Sequence, residues 1–196
     1  VVLAVSRCLL GERVRYDGGD KALPWLRSVP STLLRVIPIC PEVDAGLGVP
    51  REPIELRTAA DGRVSVACVV TGRDVTAALE GTLPSYRALF ERSRPDGFVL
   101  KRRSPSCALG SAPIDGQGAH DGFFAAWVAT RHPACPRIDE TGLEDPGARR
   151  RFFEGLRRVR RAWGEGTASV EALERWLATG AATDTSRSAA KPAPPA

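Results

Sequence analysis

The sequence predicts an α/β fold: a parallel sheet with flanking helices and a C-terminal helical appendage. Two observations carry the prediction. Short β-branched apolar runs alternate with stretches of helical periodicity, the order that right-handed crossovers impose on a parallel sheet. The chain then closes on two amphipathic helical stretches with no strand between them.

The elements follow in order. Val1 to Val5 is a buried strand. The loop SRCLLGERVRYDGGDK follows it, with Asp17-Gly18-Gly19 as a turn signal. Leu23 to Leu34 reads as a helix interrupted by Pro24 and Pro30. Leu34 to Ile39 is a second strand, and Pro38 argues against a central place for it. A loop runs from Cys40 to about Arg57, and Val64 to Val70 is a third strand after an Asp61-Gly62 turn. Thr76 to Ser93 has helical spacing at Leu79, Leu83, Tyr86, Leu89 and Phe90, with Asp74 or Thr76 as cap. Gly97 to Leu100 is a fourth strand, followed by the turn-dense loop KRRSPSCALGSAPIDGQGAHDG. Phe123 to Thr130 is helical and Pro136 to Ile138 is the last strand. Asp145 caps a helix from Pro146 to Trp163, and Val170 to Ala178 forms another. The Ala/Thr/Ser/Pro tail from Gly180 is expected to be disordered. The expected organisation is a domain over 1–140, a helical extension over 141–179 and a tail over 180–196.

The chain has 196 residues and a net charge of +5. No apolar run approaches the roughly 18–20 residues that cross a bilayer. VVLAV is too short for a signal peptide, so a cytoplasmic protein is expected. The chain contains no Met, even at its first position, as in a sequence trimmed at its start. Five cysteines is an odd number, and a disulfide framework is not expected. Cys68 lies within the strand-like SVACVV and Cys135 within HPACPR; both read as buried packing residues. Cys8, Cys40 and Cys107 differ. Each follows a strand, in a loop rich in Gly, Pro and polar residues. In parallel sheets ligands bind outside the carboxyl ends of the strands, so three such loops can share one site. Three thiolates on separate loops suit either a zinc ion with a water or a cubane iron–sulfur cluster with one iron left open. No CxxC pair decides between them.

Taken together, SRCLLGERVRYDGGDK, IPICPEVDAGLGVPREPIEL, VTGRDVTAAL and LKRRSPSCALG resemble the thiouracil desulfidase family, over residues 1 to 140. The resemblance implies a Rossmann-like domain carrying a 4Fe–4S cluster on Cys8, Cys40 and Cys107. Its open iron would take the thiocarbonyl sulfur of a thiolated pyrimidine. Water oxygen would replace that sulfur, which leaves as hydrogen sulfide with no net redox change. It also implies Glu42 as the acid/base that activates water and Ser104 as a hydrogen-bonding or relay partner. Asp17, Gly18, Lys101 and Ser106 are candidate substrate-binding residues. His120 and His132 have no ligand-like partners and read as ordinary. A zinc-dependent hydrolase on the same cysteines, and a non-catalytic RNA-binding or redox-sensing module, are the alternatives.

Seven arginines lie between Arg149 and Arg161, interleaved with Phe152, Phe153, Leu156 and Val159. The pattern is an amphipathic helix with a basic face, offering weak contact to RNA phosphates. In the resembled family such a stretch often continues into a second domain; the sequence departs from that arrangement, so a free base or nucleoside is expected over a polynucleotide substrate, and no feature bears on oligomeric state.

Overall fold

The computed structural model describes residues 1–59 and 61–180. The chain runs β1 (Val2–Ser6), a 3-10 turn (Arg7–Leu10), α1 (Pro24–Ser28), β2 (Arg35–Ile39), α2 (Pro41–Asp44), β3 (Ile54–Thr58) and β4 (Val64–Cys68). It continues through α3 (Thr76–Glu80), α4 (Leu83–Ser93), β5 (Gly97–Leu100), β6 (Ala112–Ile114), β7 (Gln117–His120), α5 (Phe123–Arg131) and β8 (Arg137–Asp139). It ends with α6 (Glu140–Glu144), α7 (Pro146–Ala162) and α8 (Ala168–Gly180).

The main sheet has the order β2-β1-β5-β8, and every pairing in it is parallel. The expected parallel α/β sheet with flanking helices is thus present. Side chains alternate between its faces, as a strand's period of two requires. Leu3, Val5 and Val99 pack toward Phe153, Leu156 and Leu173 of α7 and α8. Ala4, Phe98 and Leu100 pack toward Tyr86, Phe90 and Phe124 of α4 and α5. The C-terminal helices therefore share the core of the sheet. Gly97 and Gly155 permit this closeness: a Cβ on Gly97 would meet Leu156 at 2.8 Å, and one on Gly155 would meet Pro136 at 2.7 Å. Pro38 sits on β2, an edge strand, where a missing N–H is tolerated. Asp145 caps α7 by accepting from the Ala148 N–H at 2.6 Å, as expected.

Several expectations need correction. The segment from Val64 does not join the main sheet. It pairs antiparallel with β3 in a second sheet of order β4-β3-β6-β7. Two stretches read as loops supply the rest of that sheet: Cys40–Arg57 contains α2 and β3, and the loop after Leu100 contains β6 and β7. The helix read over 76–93 breaks into α3 and α4. Pro84 has no N–H for the Glu80 carbonyl, and its ring would crowd that carbonyl. Thr76 does not cap; its hydroxyl takes the Val66 N–H at 2.8 Å, and Asp74 accepts from the Thr76 N–H at 2.7 Å. The helix read over 23–34 ends at Ser28, because Val29 precedes Pro30 and is extended. The tail from residue 181 lies outside the described residues. No described helix is long and apolar enough to cross a membrane.

Candidate active site and metal centre

All four strands of the main sheet end on the same edge, and each delivers a polar loop there. Cys8 sits in the 3-10 turn after β1, Cys40 precedes α2 after β2, and Cys107 follows β5. Glu140 follows β8. The three cysteines, with Glu42, Ser104 and Lys101, line one cavity of about 540 Å³. Ile54 and Pro113 of the second sheet, with Pro53 just before β3, also line it. All five cysteines are free. Cys68 and Cys135 are buried elsewhere, at 2% and 6% exposure, as expected of packing residues. His132 packs among Phe90, Phe98 and Trp127, and burial lowers its pKa.

Each cysteine loop is held from behind. The Cys40 N–H donates to the Tyr86 hydroxyl at 3.0 Å, and that hydroxyl donates to Asp44. Asp44 also faces Arg7 at 3.6 Å, and Arg7 donates to Glu12 at 2.7 Å, which ties the Cys8 turn to the Cys40 loop. Ser6, buried at the end of β1, accepts the Lys101 N–H at 3.1 Å. Glu140 pairs with the Lys101 ammonium and accepts the Arg102 N–H at 2.8 Å.

The Cys107 loop is the most constrained. Ser104 Oγ accepts the N–H groups of Ser106 at 3.2 Å and Cys107 at 3.1 Å. The Ser106 carbonyl in turn accepts from Phe124 at 2.9 Å and Ala125 at 3.1 Å, in the first turn of α5. Gly122 makes this docking possible. A Cβ there would lie 2.5 Å from the Ser106 carbonyl carbon and 2.8 Å from the Cys107 nitrogen, although its φ of −64° is ordinary. The demand is for space alone. Gly122→Ala is expected to cost about 1–3 kcal/mol and to lower metal content per chain, checked by urea denaturation and metal analysis of the purified variant.

Glu42 and Ser104 meet: Ser104 Oγ lies 3.4 Å from Glu42 Oε1. The other carboxylate oxygen, Oε2, is taken by Arg51, from Nε at 3.0 Å and Nη2 at 2.6 Å. Asp17, Gly18 and Ser106 are not among the residues lining the cavity. Asp17 accepts the Gly19 N–H at 3.0 Å and Gly18 has φ +74°, so both build the tight turn beside the lining residues Arg15 and Tyr16. Ser106 is fully buried behind Cys107, and its hydroxyl has no partner among the described residues. Sequence reasoning missed Ser6, Arg51, Tyr86 and Glu140. Only Arg51 left a signal, as a cation in the same Gly/Pro-rich loop as Glu42.

Burial dominates the acidity of the thiols. It pushes Cys8 up to about 12, and the neighbouring Cys40 adds to the rise while Lys101 and Arg15 oppose it. Cys40 is raised by burial against the opposing Val43 N–H. Cys107 is raised by burial, Cys40 and Cys8, with the Ser6 hydroxyl opposing. Cys8 thus feels the charge of Cys40, and Cys107 that of both. A raised folded pKa means that the folded protein holds these protons more tightly than the unfolded chain. The stability they confer is complete below the ordinary value of 9.0 and is lost as pH rises from there toward 12. The metal-free protein is therefore expected to lose urea resistance over that window. A metal bound by these thiols would displace the same protons, so uptake by the metal-free protein should weaken as pH falls from 8 to about 6.

The profile of the 2-thiouracil desulfurase family matches residues 3–140. The chain belongs to the 2-thiouracil desulfurase family. It is accordingly a thiouracil desulfidase-like enzyme. Protein YbbK of Bacillus subtilis (strain 168), described as uncharacterized, is 34% identical over 114 residues, covering 56% of this chain and 74% of YbbK. The solved structure of TudS, a [4Fe-4S]-dependent thiouracil desulfidase, matches with a TM-score of 0.60 and 31% identity, covering 72% of this chain and 92% of TudS. All the cavity-lining desulfurase residues named above fall inside the matched span, whereas α7 and α8 lie beyond it.

Proposed function

We propose that this desulfurase carries a 4Fe–4S cluster on Cys8, Cys40 and Cys107, with one iron left open. In this reading it replaces the thiocarbonyl sulfur of a thiolated pyrimidine, 2- or 4-thiouracil or its nucleoside, with oxygen from water and releases sulfide without net redox change. One observation carries the proposal: three free thiols from three neighbouring loops share a cavity with the Glu42–Ser104 pair. The donor set fits the cluster. Thiolates are the ligands of iron–sulfur centres. Among the described residues no three His, Cys, Asp or Glu side chains form a group that could hold a metal ion. The [4Fe-4S] dependence of the neighbour TudS supports a cluster, in which each thiolate binds its own iron, over the zinc of a hydrolase.

When bound, the cluster supplies a soft Lewis-acidic iron that polarises the thiocarbonyl. The chain supplies the rest. Glu42 Oε1 takes the proton of the attacking water, within reach of the Ser104 hydroxyl. Ile39, Ile54 and Pro105 give the cavity an apolar part, and its volume of about 540 Å³ suits a small molecule. The basic helix bears little on this site. Arg160 faces Asp96 at 3.3 Å, just before β5, at the sheet edge opposite the cysteines. Arg157 pairs with Glu174 and Arg149 donates to the Leu143 carbonyl at 3.1 Å. Arg150, Arg151, Arg158 and Arg161 stay exposed and offer RNA only an electrostatic contact away from the cavity. The test is sulfide release from 2- and 4-thiouracil by protein reconstituted anaerobically with iron and sulfide. Turnover by that form and none by the zinc-loaded form is expected; turnover by the zinc form alone would overturn the proposal.

A further inference from the structure

Arg51 makes more contacts than an ion pair needs. Its side chain is only 6% exposed, and that of its partner Glu42 12%. Nε and Nη2 both donate to Glu42 Oε2, at 3.0 and 2.6 Å. Nη1 donates to the carbonyls of Val14 at 2.9 Å and Gly48 at 3.0 Å. The Arg51 backbone N–H donates to the Tyr16 carbonyl at 2.9 Å. One side chain therefore joins the segment after Cys8 to the segment after Cys40 and grips a single carboxylate oxygen between them. The planar guanidinium can meet all four acceptor contacts at once; an ammonium, with three donors on a flexible stem, cannot. The grip is also one-sided. Both bonds fall on Oε2, so Arg51 anchors that oxygen and leaves Oε1 toward Ser104.

We infer that Arg51 is a positioning residue for the reaction. It acts through Glu42, fixing which oxygen takes the proton of water and where that oxygen lies. The inference rests on the proposed role of Glu42. Removing Arg51 leaves a half-buried carboxylate free to turn, and a displacement of about 1 Å at a proton-transfer group costs on the order of 100-fold in rate.

The experiment uses the cluster-loaded full chain with R51A, R51K, E42Q and the double variant E42Q/R51A, each checked for iron content and visible spectrum. R51A is expected to lower kcat about 10- to 100-fold with KM within about twofold. Methylguanidinium should restore part of that loss, and R51K should be impaired less but not match the wild type. On the E42Q background, R51A should cost less than about twofold further, because the residue through which it acts is already disabled. An equal loss on both backgrounds, or a rise in KM with kcat unchanged, would overturn the inference. If R51A does not retain the cluster, R51K carries the same comparison. A wild-type holoprotein that releases no sulfide from any thiolated pyrimidine would instead overturn the proposed function. The pairing is then read from urea midpoints of the same four proteins: additive losses from E42Q and R51A overturn it, and non-additive losses sustain it.

Discussion

Cys107→Ser is expected to abolish stable cluster binding and to lower sulfide release at least about 100-fold. The hydroxyl is a hard, weakly acidic ligand where a soft thiolate is required. The loop cannot compensate by shifting. Ser104 Oγ holds the Ser106 and Cys107 N–H groups, α5 holds the Ser106 carbonyl, and Gly122 packs against the peptide between Ser106 and Cys107. A thiol so fixed has no neighbour to take its place, since the other two cysteines of the cavity sit on their own loops. Because Ser is nearly isosteric and the fold does not rest on the sulfur, the variant should remain folded. Iron analysis and the visible spectrum of anaerobically reconstituted protein check the prediction. Retention of full iron content would remove Cys107 from the ligand set.

Glu42→Gln is expected to separate the two halves of the site. The amide keeps the volume of the side chain and can still meet Arg51, but it cannot take a proton from water. Cluster content should stay near that of the wild type, and kcat should fall about 10²- to 10⁴-fold, the range for a lost general base. KM should change little, because in the proposed role Glu42 acts on water and not on the pyrimidine. Single-turnover assays with loaded protein measure this directly; unchanged turnover would exclude Glu42 from proton transfer. The amide also leaves the Arg51 charge without its buried counterpart, so a stability loss of about 1–3 kcal/mol accompanies the change.

The sequence announced the main sheet because its strands are short apolar runs with their own boundaries, and the cysteines because each lies in the loop after such a run. Of the second sheet only β4 was legible, as the strand read over Val64–Val70. Ile54–Thr58 reads IELRT, mixed in polarity, and its partner β6 pairs with it at the single register point Leu56 with Ile114. Strands of three or four residues owe their existence to distant partners, and no local pattern records those. The same holds within the site. Glu42 and Ser104 came from motif, but their meeting at 3.4 Å across 62 residues is tertiary. Tyr86 looked like one more apolar position on a helix; its hydroxyl holds the Cys40 backbone only because α4 packs beneath that loop. Asp17 and Gly18 show the converse. Their turn signal was strong and correct, but a turn signal does not say which side chains of the loop face inward.

The most direct test of the three-cysteine centre is Mössbauer spectroscopy of the iron-57 reconstituted protein, before and after addition of 2-thiouracil. The account predicts four irons per chain in a cubane, with one iron in four changing its signal when the thiocarbonyl compound is added and the other three unchanged. A spectrum in which all four irons stay as they were, or a protein that takes up one metal ion per chain and no sulfide, would contradict it.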